Sequence, residues 1–355
     1  MSRPAIAYIH LKHLRHNYHI LKKRAGAAAI MAVVKANAYG HGLEHVATTL
    51  YAEGCRMFGV TDAQEGAQLR DLLSDEAPDI VLLSGIFDNE DAMLARDKRL
   101  TPAITEPDQV SRLDQANFTG KLWIKVDTGM NRLGAQQPGQ MLDICRKNHM
   151  KIAGIMSHLA CADIPDHPLN QRQADEFTRL SQATGPGRPA SLLNSAGLVT
   201  LPGHTLDVVR PGIALYGAEP IPDLPLGLKP VMRLTGRVMQ VRDVARGANV
   251  SYGAIFTADR DMRIAVICLG YADGLPRGLS NCGFGIHAGK KLPIVGRICM
   301  DYTLLDTTGA ELSNDDEIEF WGDSLPANEV SECLGTIPYT LFTGIGQRVI
   351  RKTLS

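Results

Sequence analysis

The sequence predicts an α/β protein made of a (β/α)8 TIM barrel followed by a smaller all-β C-terminal domain. Between about residues 10 and 215, short β-branched or apolar runs alternate with segments long enough for helices, which is typical of a parallel sheet covered by helices. After the proline-rich stretch 220–230, strand-like runs follow one another without clear helices. Polar residues follow several of the predicted barrel strands, at the ends where active sites of this fold lie.

We place the barrel at residues 1–225 and the second domain at 226–355. Eight candidate strands favour a closed barrel, although the alternation alone also fits a doubly wound open sheet. The predicted barrel strands cover residues 30–34, 57–60, 80–84, 101–105, 122–127, 152–158, 191–193 and 206–210. Strands of the second domain are predicted at 231–244, 263–269, 291–298, 302–306 and 317–320.

One predicted helix shows the expected pattern clearly. Apolar residues recur with helical spacing, and Gly54 is suited to end the helix. These apolar residues are Leu43, Val46, Ala47, Leu50 and Tyr51. The helix should therefore pack one face against the sheet.

The composition excludes several classes of protein. A formal net charge of -1 gives no overall attraction to nucleic acid or to anionic lipid. The seven cysteines are scattered without a CxxC spacing, which argues against disulfides and against a zinc site, and no metal is predicted. The N-terminal residues lack a secretory signal pattern, and the run 25–34 is too short to span a bilayer. We therefore predict a cytoplasmic protein with reduced thiols.

The end of the first barrel strand carries the most informative side chain. Lys35 directly follows the apolar residues Val33 and Val34 and precedes a loop of small residues. A lysine removed from water in this way can lose its proton and form a Schiff base. An isolated lysine at a strand end would more simply extend to solvent or pair with a carboxylate, so the neighbouring strand ends decide the interpretation.

Those strand ends supply further reactive groups. Strands seven and eight lead into the loops that commonly bind phosphate in this fold, where Ser195, Gly212 and Ile213 lie. A phosphate site beside a strand-end lysine is what pyridoxal 5'-phosphate requires, because the phosphate anchors the ring while the lysine holds the aldehyde. His158, at the end of strand six, could support the guanidinium of Arg210.

Several of these segments together resemble the alanine racemase family, and the resemblance covers essentially the whole chain. The motifs that carry it are ValValLysAlaAsnAlaTyrGlyHisGly at 33–42, AspThrGlyMetAsnArgLeuGly at 127–134, ArgProGlyIleAlaLeuTyrGly at 210–217, SerTyrGly at 251–253, GlyTyrAlaAspGly at 270–274, ValGlyArgIleCysMetAsp at 295–301 and IleProTyr at 337–339. Each motif alone is weak, whereas their combination is specific.

The resemblance implies a racemase that interconverts L-alanine and D-alanine with pyridoxal phosphate. Lys35 would hold the cofactor and act as a base on one face of the substrate α-carbon. Tyr252, contributed by the partner subunit of a homodimer, would act on the opposite face, because inversion needs a proton removed from one face and returned to the other. The product would supply D-alanine for peptidoglycan, or the enzyme would serve alanine catabolism.

The resemblance also assigns the remaining site residues. Arg210 would face the pyridine nitrogen, and Arg132 would face the cofactor phenolate and the substrate carboxylate. Lys125 corresponds to a lysine that is carbamylated in many members and would then brace Arg132. The phosphate would be bound at Tyr39, Ser195, Gly212, Ile213 and Tyr339, with His158 near the ring. The partner's Met300 would meet the substrate carboxylate, and Tyr271 would narrow the entrance.

Three alternatives remain at this stage. A racemase with broader specificity would also accept serine. A non-catalytic pyridoxal-phosphate carrier on a similar barrel would lack the residues after Pro230. A decarboxylase with the same two domains would need an acidic partner for the pyridine nitrogen, which Arg210 opposes, and often uses a reactive cysteine, for which Cys299 is the candidate.

Overall fold

The computed structural model describes residues 4–73, 78–184 and 187–355. Its strands are β1 (Ala5–His10), β2 (Ala29–Val33), β3 (Met57–Val60), β4 (Asp79–Leu82), β5 (Thr101–Ile104), β6 (Lys121–Lys125), β7 (Lys151–Met156), β8 (Ala190–Asn194), β9 (Val208–Arg210), β10 (Met232–Val244), β11 (Asn249–Val250), β12 (Phe256–Thr257), β13 (Met262–Ile267), β14 (Phe284–His287), β15 (Lys290–Pro293), β16 (Thr303–Asp306), β17 (Glu317–Trp321) and β18 (Ile350–Leu354). Its helical segments are α1 (Leu11–Ala25), α2 (Lys35–Tyr39), α3 (Leu43–Ala52), α4 (Ala63–Leu73), α5 (Asn89–Asp97), α6 (Pro107–Gln115), α7 (Pro138–Lys147), α8 (Pro168–Ala183), α9 (Gly197–Thr200), α10 (Ala327–Cys333) and α11 (Pro338–Thr343).

Strands β2 to β9 form a closed parallel barrel in sequence order, which confirms the predicted fold class. Closure occurs where β2 pairs with β9, with Ile30 opposite Val209. The open doubly wound alternative is therefore wrong. Helices between successive strands cover the outside, and α3 begins and ends close to the predicted positions, burying Leu43, Val46, Ala47 and Leu50.

The interior of the barrel contains its own small core. This core groups apolar side chains from six barrel strands, whereas the alternate residues of the same strands belong to the larger core under the helices. Its buried members are Met31, Val81, Ala103, Trp123, Met156 and Val208. Gly154 leaves room for the indole, because a Cβ there would lie 2.4 Å from the Trp123 ring. Trp123 thus fills the barrel beneath the ends of its strands.

We expect Trp123→Ala to lower the free energy of unfolding by about 3–5 kcal/mol, because it leaves a cavity that the surrounding closed barrel cannot collapse around. Equilibrium urea denaturation would measure the change. Phe87→Ala is the matched control, since Phe87 is 60% exposed and its removal should leave the midpoint nearly unchanged. Equal midpoints for Trp123→Ala and the wild type would contradict this account of the barrel core.

The second domain is built on a mainly antiparallel sheet of order β15-β14-β17-β10-β1-β18, with β13 paired to β10 and β16 paired to β13. The long strand β10 is its centre and pairs with β1, β13 and β17. The structure also contains α10 and α11 in this part of the chain, which the strand pattern did not predict. The domain is therefore rich in β-structure, with two short helices near its C-terminal end.

Strand β1 is the clearest departure from the predicted organisation. It lies in the C-terminal sheet, antiparallel to β10 and parallel to β18, although it precedes the barrel in sequence. Its buried residues Ala5, Ala7 and Ile9 alternate, but pairing with a strand more than 220 residues away has no local signature. The division at residues 225 and 226 remains a prediction, and it does not account for this strand.

The junction between the two domains is held by α1. The Asn17 amide donates to the Lys229 carbonyl at 2.8 Å and accepts from the Lys229 amide at 2.8 Å, while His13 contacts the Pro230 carbonyl at 2.7 Å. Gly217 is required nearby, because a Cβ there would lie 1.9 Å from the Lys229 oxygen and its φ is 83°. None of the helices in the described ranges is both long enough and apolar enough to cross a membrane.

Candidate active site

A cavity of about 680 Å³ opens at the carboxyl ends of the barrel strands. Nine of the predicted site residues line it, although they come from distant parts of the sequence: Lys35, Tyr39, Lys125, Arg132, His158, Ser195, Arg210, Gly212 and Tyr339. Pockets of this size and position bind small ligands in barrel enzymes. The structure thus brings most of the predicted residues into one place.

Lys35 begins a turn of unusual backbone geometry. The four residues after it, Ala36 to Tyr39, have φ values of 52–54°, the left-handed region that L-residues avoid. Glu65 holds the start of the turn, since its carboxylate accepts from the amides of Ala36 at 2.7 Å and Thr61 at 2.8 Å. Burial lowers the pKa of the Lys35 amine, and the Arg132 guanidinium lowers it further. A strand-end amine of reduced basicity is suited to covalent and proton-transfer chemistry.

Aromatic rings support the other end of this turn. The Tyr216 ring stacks on Tyr39 at a centroid distance of 4.8 Å and lies tilted against His41 at 4.5 Å. His41 is buried, and its Nδ1 donates to the Tyr39 carbonyl at 2.8 Å. The Tyr216 hydroxyl donates to the Val33 carbonyl at 3.0 Å, which ties the stack to β2. The sequence gives no signal for Glu65, and it includes Tyr216 and His41 only as members of the motifs at 210–217 and 33–42, without a role.

Three polar groups meet on the side of the cavity formed by the loops after β8 and β9. The Ser195 hydroxyl accepts from the Gly212 amide at 2.9 Å, and a Cβ on Gly212 would lie 2.4 Å from the Tyr39 hydroxyl. The Tyr339 ring lies 5.7 Å from the Tyr39 ring. Burial raises the pKa of Tyr339 to about 12 and that of Tyr39 above its usual range, so both hydroxyls remain donors at neutral pH. Ile213 is buried beside this cluster but lines a neighbouring groove rather than the cavity.

Arg210 lies fully buried at the end of β9. Its guanidinium donates to the Ser191 hydroxyl at 2.5 Å, to the Leu192 carbonyl at 3.1 Å and to the Ser157 carbonyl. Burial lowers the pKa of Arg210 to about 10, so the group stays charged at neutral pH. His158 Nδ1 lies 3.4 Å from the guanidinium, and burial and then this charge hold the pKa of His158 well below its usual range. His158 is thus a neutral acceptor beside a permanent cation.

The cavity is strongly cationic. Lys35, Lys125, Arg132 and Arg210 line it, and no carboxylate is present among its described lining residues. The Lys125 amine donates to the Leu83 carbonyl at 3.0 Å. Burial lowers the pKa of Lys125 to about 8, and the Arg210, Arg132 and Lys35 charges act in the same direction. Such a cavity is suited to a ligand with more than one negative charge.

Besides Ile213, three predicted residues lie outside the cavity, on loops of the second domain. Tyr252, Tyr271 and Met300 have 69%, 41% and 53% of their surface exposed. We call them the C-terminal loop surface. Backbone hydrogen bonds join two of their loops, because the Tyr271 amide donates to the Cys299 carbonyl at 3.0 Å. The third loop is joined through Ser251, whose hydroxyl donates to the Arg297 carbonyl at 2.5 Å. One fixed surface therefore presents large apolar side chains to solvent.

The fold and the site define an enzyme class: a TIM-barrel protein with a strand-end lysine inside a cationic cavity and with a second, β-rich domain. Family models agree with this class. The model of the alanine racemase N-terminal domain matches residues 9–220, and that of the alanine racemase C-terminal domain matches residues 231–353. The chain belongs to the alanine racemase family, whose members are isomerases.

Individual relatives support this assignment over the full length. The chain is 38% identical to an alanine racemase of Vibrio cholerae, with 98% of this chain and 97% of the relative covered. It is 37% identical to a biosynthetic alanine racemase of Agrobacterium fabrum, with 96% and 91% covered. The crystal structure of the biosynthetic alanine racemase from Pseudomonas aeruginosa matches with a TM-score of 0.93 at 35% identity, covering all of both chains.

A further solved structure bears on the cavity. The alanine racemase from Bartonella henselae, described with covalently bound pyridoxal phosphate, matches with a TM-score of 0.92 at 34% identity, covering 99% of each chain.

Proposed function

We propose that the chain interconverts L-alanine and D-alanine with pyridoxal 5'-phosphate, using Lys35 of one subunit and Tyr252 of the partner as the two proton-transferring residues. The observation that carries the proposal is the division of the predicted site. Lys35, with a lowered pKa, lies in a cationic cavity of the barrel, whereas Tyr252 is exposed on a different domain. A single chain therefore offers both catalytic groups but on separate surfaces.

The residues of the cavity fit the proposed cofactor. Its phosphate would be held by the hydroxyls of Tyr39, Ser195 and Tyr339 and by the loop of Gly212 and Ile213, where donors lie together. Its phenolate would face Arg132. Pyridoxal phosphate supplies an aldehyde that binds an amino group and a conjugated ring that acidifies the α-hydrogen.

Arg210 would lie at the pyridine nitrogen with His158 beside it. Because the guanidinium stays charged, it can only donate a hydrogen bond to the ring nitrogen and therefore disfavours protonation of that nitrogen, whereas an aspartate in its place would stabilise the protonated ring. We infer that this partner limits charge withdrawal into the ring and so disfavours transamination and decarboxylation. The decarboxylase alternative predicts an acid here and is less well supported.

The proton transfers are assigned to this chain's own residues. The Lys35 amine, whose lowered pKa keeps a larger neutral fraction, would remove the α-proton from one face or return it there. The partner's Tyr252 hydroxyl would do the same on the opposite face. The partner's Met300 amide would bind the substrate carboxylate, and Tyr271 would narrow the entrance.

Turnover in deuterated water tests this function directly. Chiral analysis of purified protein incubated with L-alanine should give D-alanine that carries deuterium at the α-carbon. Pyruvate or carbon dioxide as the main product would instead support transamination or decarboxylation, and bound cofactor without turnover would support the carrier alternative. Parallel assays with L-serine address broader specificity, since one hydroxyl gives only about 1–3 kcal/mol of discrimination in an apolar pocket.

The composite site predicts that two inactive homodimers can restore each other. Subunits of Lys35→Ala and Tyr252→Phe should recombine after dissociation into hybrids with one intact site. Because half of randomly paired dimers are hybrids and each has one intact site of two, activity should recover to about one quarter of wild type. Steady-state assays after subunit exchange would measure it. No recovery despite hybrid formation, verified with two affinity tags, would contradict sites shared between subunits.

Carbamylation of Lys125 forms a second prediction of the proposed site. Carbon dioxide adds to a neutral amine and releases a proton, so modification should increase as pH rises through the Lys125 pKa of about 8 at constant dissolved carbon dioxide. Carbon-13 NMR with labelled bicarbonate would detect the carbamate. Lys125→Met removes the acceptor and is the control for the assignment. A spectrum without this signal at high pH would leave Arg132 to be braced by other groups.

A cytoplasmic location is part of the same proposal, and either D-alanine supply or alanine catabolism fits the reaction. The location rests on the sequence, in which seven cysteines are scattered without a CxxC spacing, a pattern typical of a reducing compartment.

A further inference from the structure

Arg351 in β18 joins parts of the chain that belong to both domains. It lies half-buried, and its guanidinium is surrounded by carbonyl oxygens. Nε donates to the Gly40 carbonyl at 2.7 Å, while Nη2 donates to the Ile345 carbonyl at 3.0 Å. Nη1 contacts the carbonyls of Gly346 and Val349 at 3.3 Å. One side chain therefore binds the barrel loop after β2 and the loop 345–349 of the second domain.

On the barrel side, Arg351 holds the end of the left-handed turn. Gly40 directly follows Tyr39, whose hydroxyl is directed to the Gly212 loop. Gly40 is also packed against α11, because a Cβ there would lie 2.1 Å from the Phe342 carbonyl. The turn has backbone bonds of its own, from the Ala38 amide to the Val34 carbonyl at 2.8 Å and from the Gly40 amide to the Ala36 carbonyl at 2.9 Å. Its left-handed residues are nevertheless strained, so contacts from outside the turn help to hold it in position. Removal of the Arg351 guanidinium would eliminate the contact with the Gly40 carbonyl.

On the other side, loop 345–349 supports the C-terminal loop surface. Arg348 in this loop donates from Nε to the buried Asp273 carboxylate at 2.7 Å and from Nη2 to Asp301 at 2.9 Å. The Gly346 amide donates to the Asp273 carbonyl at 3.0 Å. Asp273 lies two residues after Tyr271, and Asp301 directly follows Met300. The loop that Arg351 binds thus contacts the segments carrying two of the three surface residues.

We propose that Arg351 is a positioning residue for two active sites at once, the cavity of its own subunit and the cavity of the partner. The inference rests on the proposed function, because only a composite site assigns Tyr271 and Met300 to the partner's cavity. In its own subunit, Arg351 orients the turn that carries Tyr39 and therefore controls cofactor affinity. In the partner's site, acting through loop 345–349, it controls substrate affinity.

Arg351→Met tests the role by removing all donors while keeping an apolar stem of similar length. In the homodimer, the cofactor dissociation constant, measured by equilibrium dialysis of the apoenzyme, and the KM for alanine at saturating cofactor should each rise about tenfold, as expected when charge-assisted hydrogen bonds are lost. Lys352→Met is the matched control on the same strand, where the ammonium lies 5.8 Å from the Tyr8 ring centre and contacts neither loop. Thermal unfolding and the molecular mass in solution would verify that both variants form intact, folded dimers. If Arg351→Met does not fold, Arg351→Lys is used in its place, because it retains one cationic donor group while losing the planar guanidinium.

Hybrid dimers with two affinity tags separate the two effects. The first hybrid pairs an Arg351→Met chain with a Lys35→Ala chain, so the single working cavity has the substitution in its own subunit. The cofactor concentration that gives half-maximal activity should rise, while the KM for alanine should equal that of the same hybrid made with Lys352→Met. The second hybrid carries both substitutions on one chain beside a wild-type chain, so the single working cavity has the Arg351 substitution in its partner. Here the KM for alanine should rise, while the cofactor concentration that gives half-maximal activity should stay unchanged.

The outcomes distinguish this inference from the proposed function. If Lys35→Ala and Tyr252→Phe subunits restore each other but the second hybrid keeps the control KM, the action of Arg351 on the partner's site is excluded. If the homodimer of Arg351→Met matches Lys352→Met in both constants, the positioning role is excluded altogether. If the subunits do not restore each other, the composite site fails, and the Arg351 inference fails with it.

Discussion

Lys35→Ala is expected to lower kcat/KM for alanine racemisation by about 10⁴-fold, the upper range for loss of a proton-transferring group. The expectation follows from its position, because Lys35 combines a lowered amine pKa with direct access to the cavity. Rates in both directions, followed by chiral chromatography, would measure the loss. The cavity retains Arg132, Arg210 and the donor cluster, so cofactor should still bind to the variant.

Two controls make this result interpretable. Equilibrium dialysis should show that the variant retains cofactor, which separates lost chemistry from lost binding. Small exogenous amines should restore part of the rate, because they can occupy the space left by the lysine side chain. If Lys35→Ala racemised alanine at a rate near that of wild type, another residue would have to be the base.

Tyr252→Phe is expected to lower racemisation about 10²–10⁴-fold while preserving exchange on one face of the substrate. Lys35 alone can still remove an α-proton and return a deuteron to the same face. One enantiomer of alanine should therefore exchange its α-hydrogen in deuterated water without inversion, whereas the other should exchange slowly. Proton NMR of the α-position combined with chiral chromatography measures both processes in one sample.

Tyr302→Phe provides a matched control for the same substitution. Tyr302 is also an exposed tyrosine of the second domain but has no assigned role in catalysis. It should racemise alanine like wild type. Loss of exchange for both enantiomers in Tyr252→Phe, with cofactor still bound, would argue that Tyr252 supports the site as a whole rather than acting on one face.

The barrel was predictable because its signals are local. Each strand is a short apolar run, each crossover is long enough for a helix, and the fold itself directs Lys35, Arg210 and the Ser195 loop to one end. The sequence predicted a β-rich C-terminal domain, but it did not predict that the N-terminal strand β1 belongs to the sheet of that domain. Strand β1 has an ordinary apolar alternation, and its partners β10 and β18 lie far away in the sequence.

Site residues at the ends of barrel strands were predictable from the sequence. Residues that support the site by contacts between distant parts of the chain were not. Glu65 and Tyr216 stabilise the Lys35 turn from separate elements. Glu65 lies outside every motif, and Tyr216 lies in the 210–217 motif, but nothing in the sequence shows that its ring reaches Tyr39 and His41. Arg351 lies in the last strand and reaches Gly40 only because β18 packs beside β1. The left-handed turn itself contains no glycine before Gly40, so residue type alone did not predict its backbone.

The left-handed turn at residues 36–39 creates a conflict between folding stability and catalytic rate. Four successive L-residues in a left-handed region each cost about 1–2 kcal/mol relative to a relaxed conformation. Glycine at Ala36 or Ala38 would relieve part of this strain, and a screen for heat resistance would favour it. The same change would allow the Tyr39 hydroxyl to move away from the Gly212 loop, where we propose that the cofactor phosphate binds. Variants selected for heat resistance alone should therefore accumulate changes here that slow catalysis.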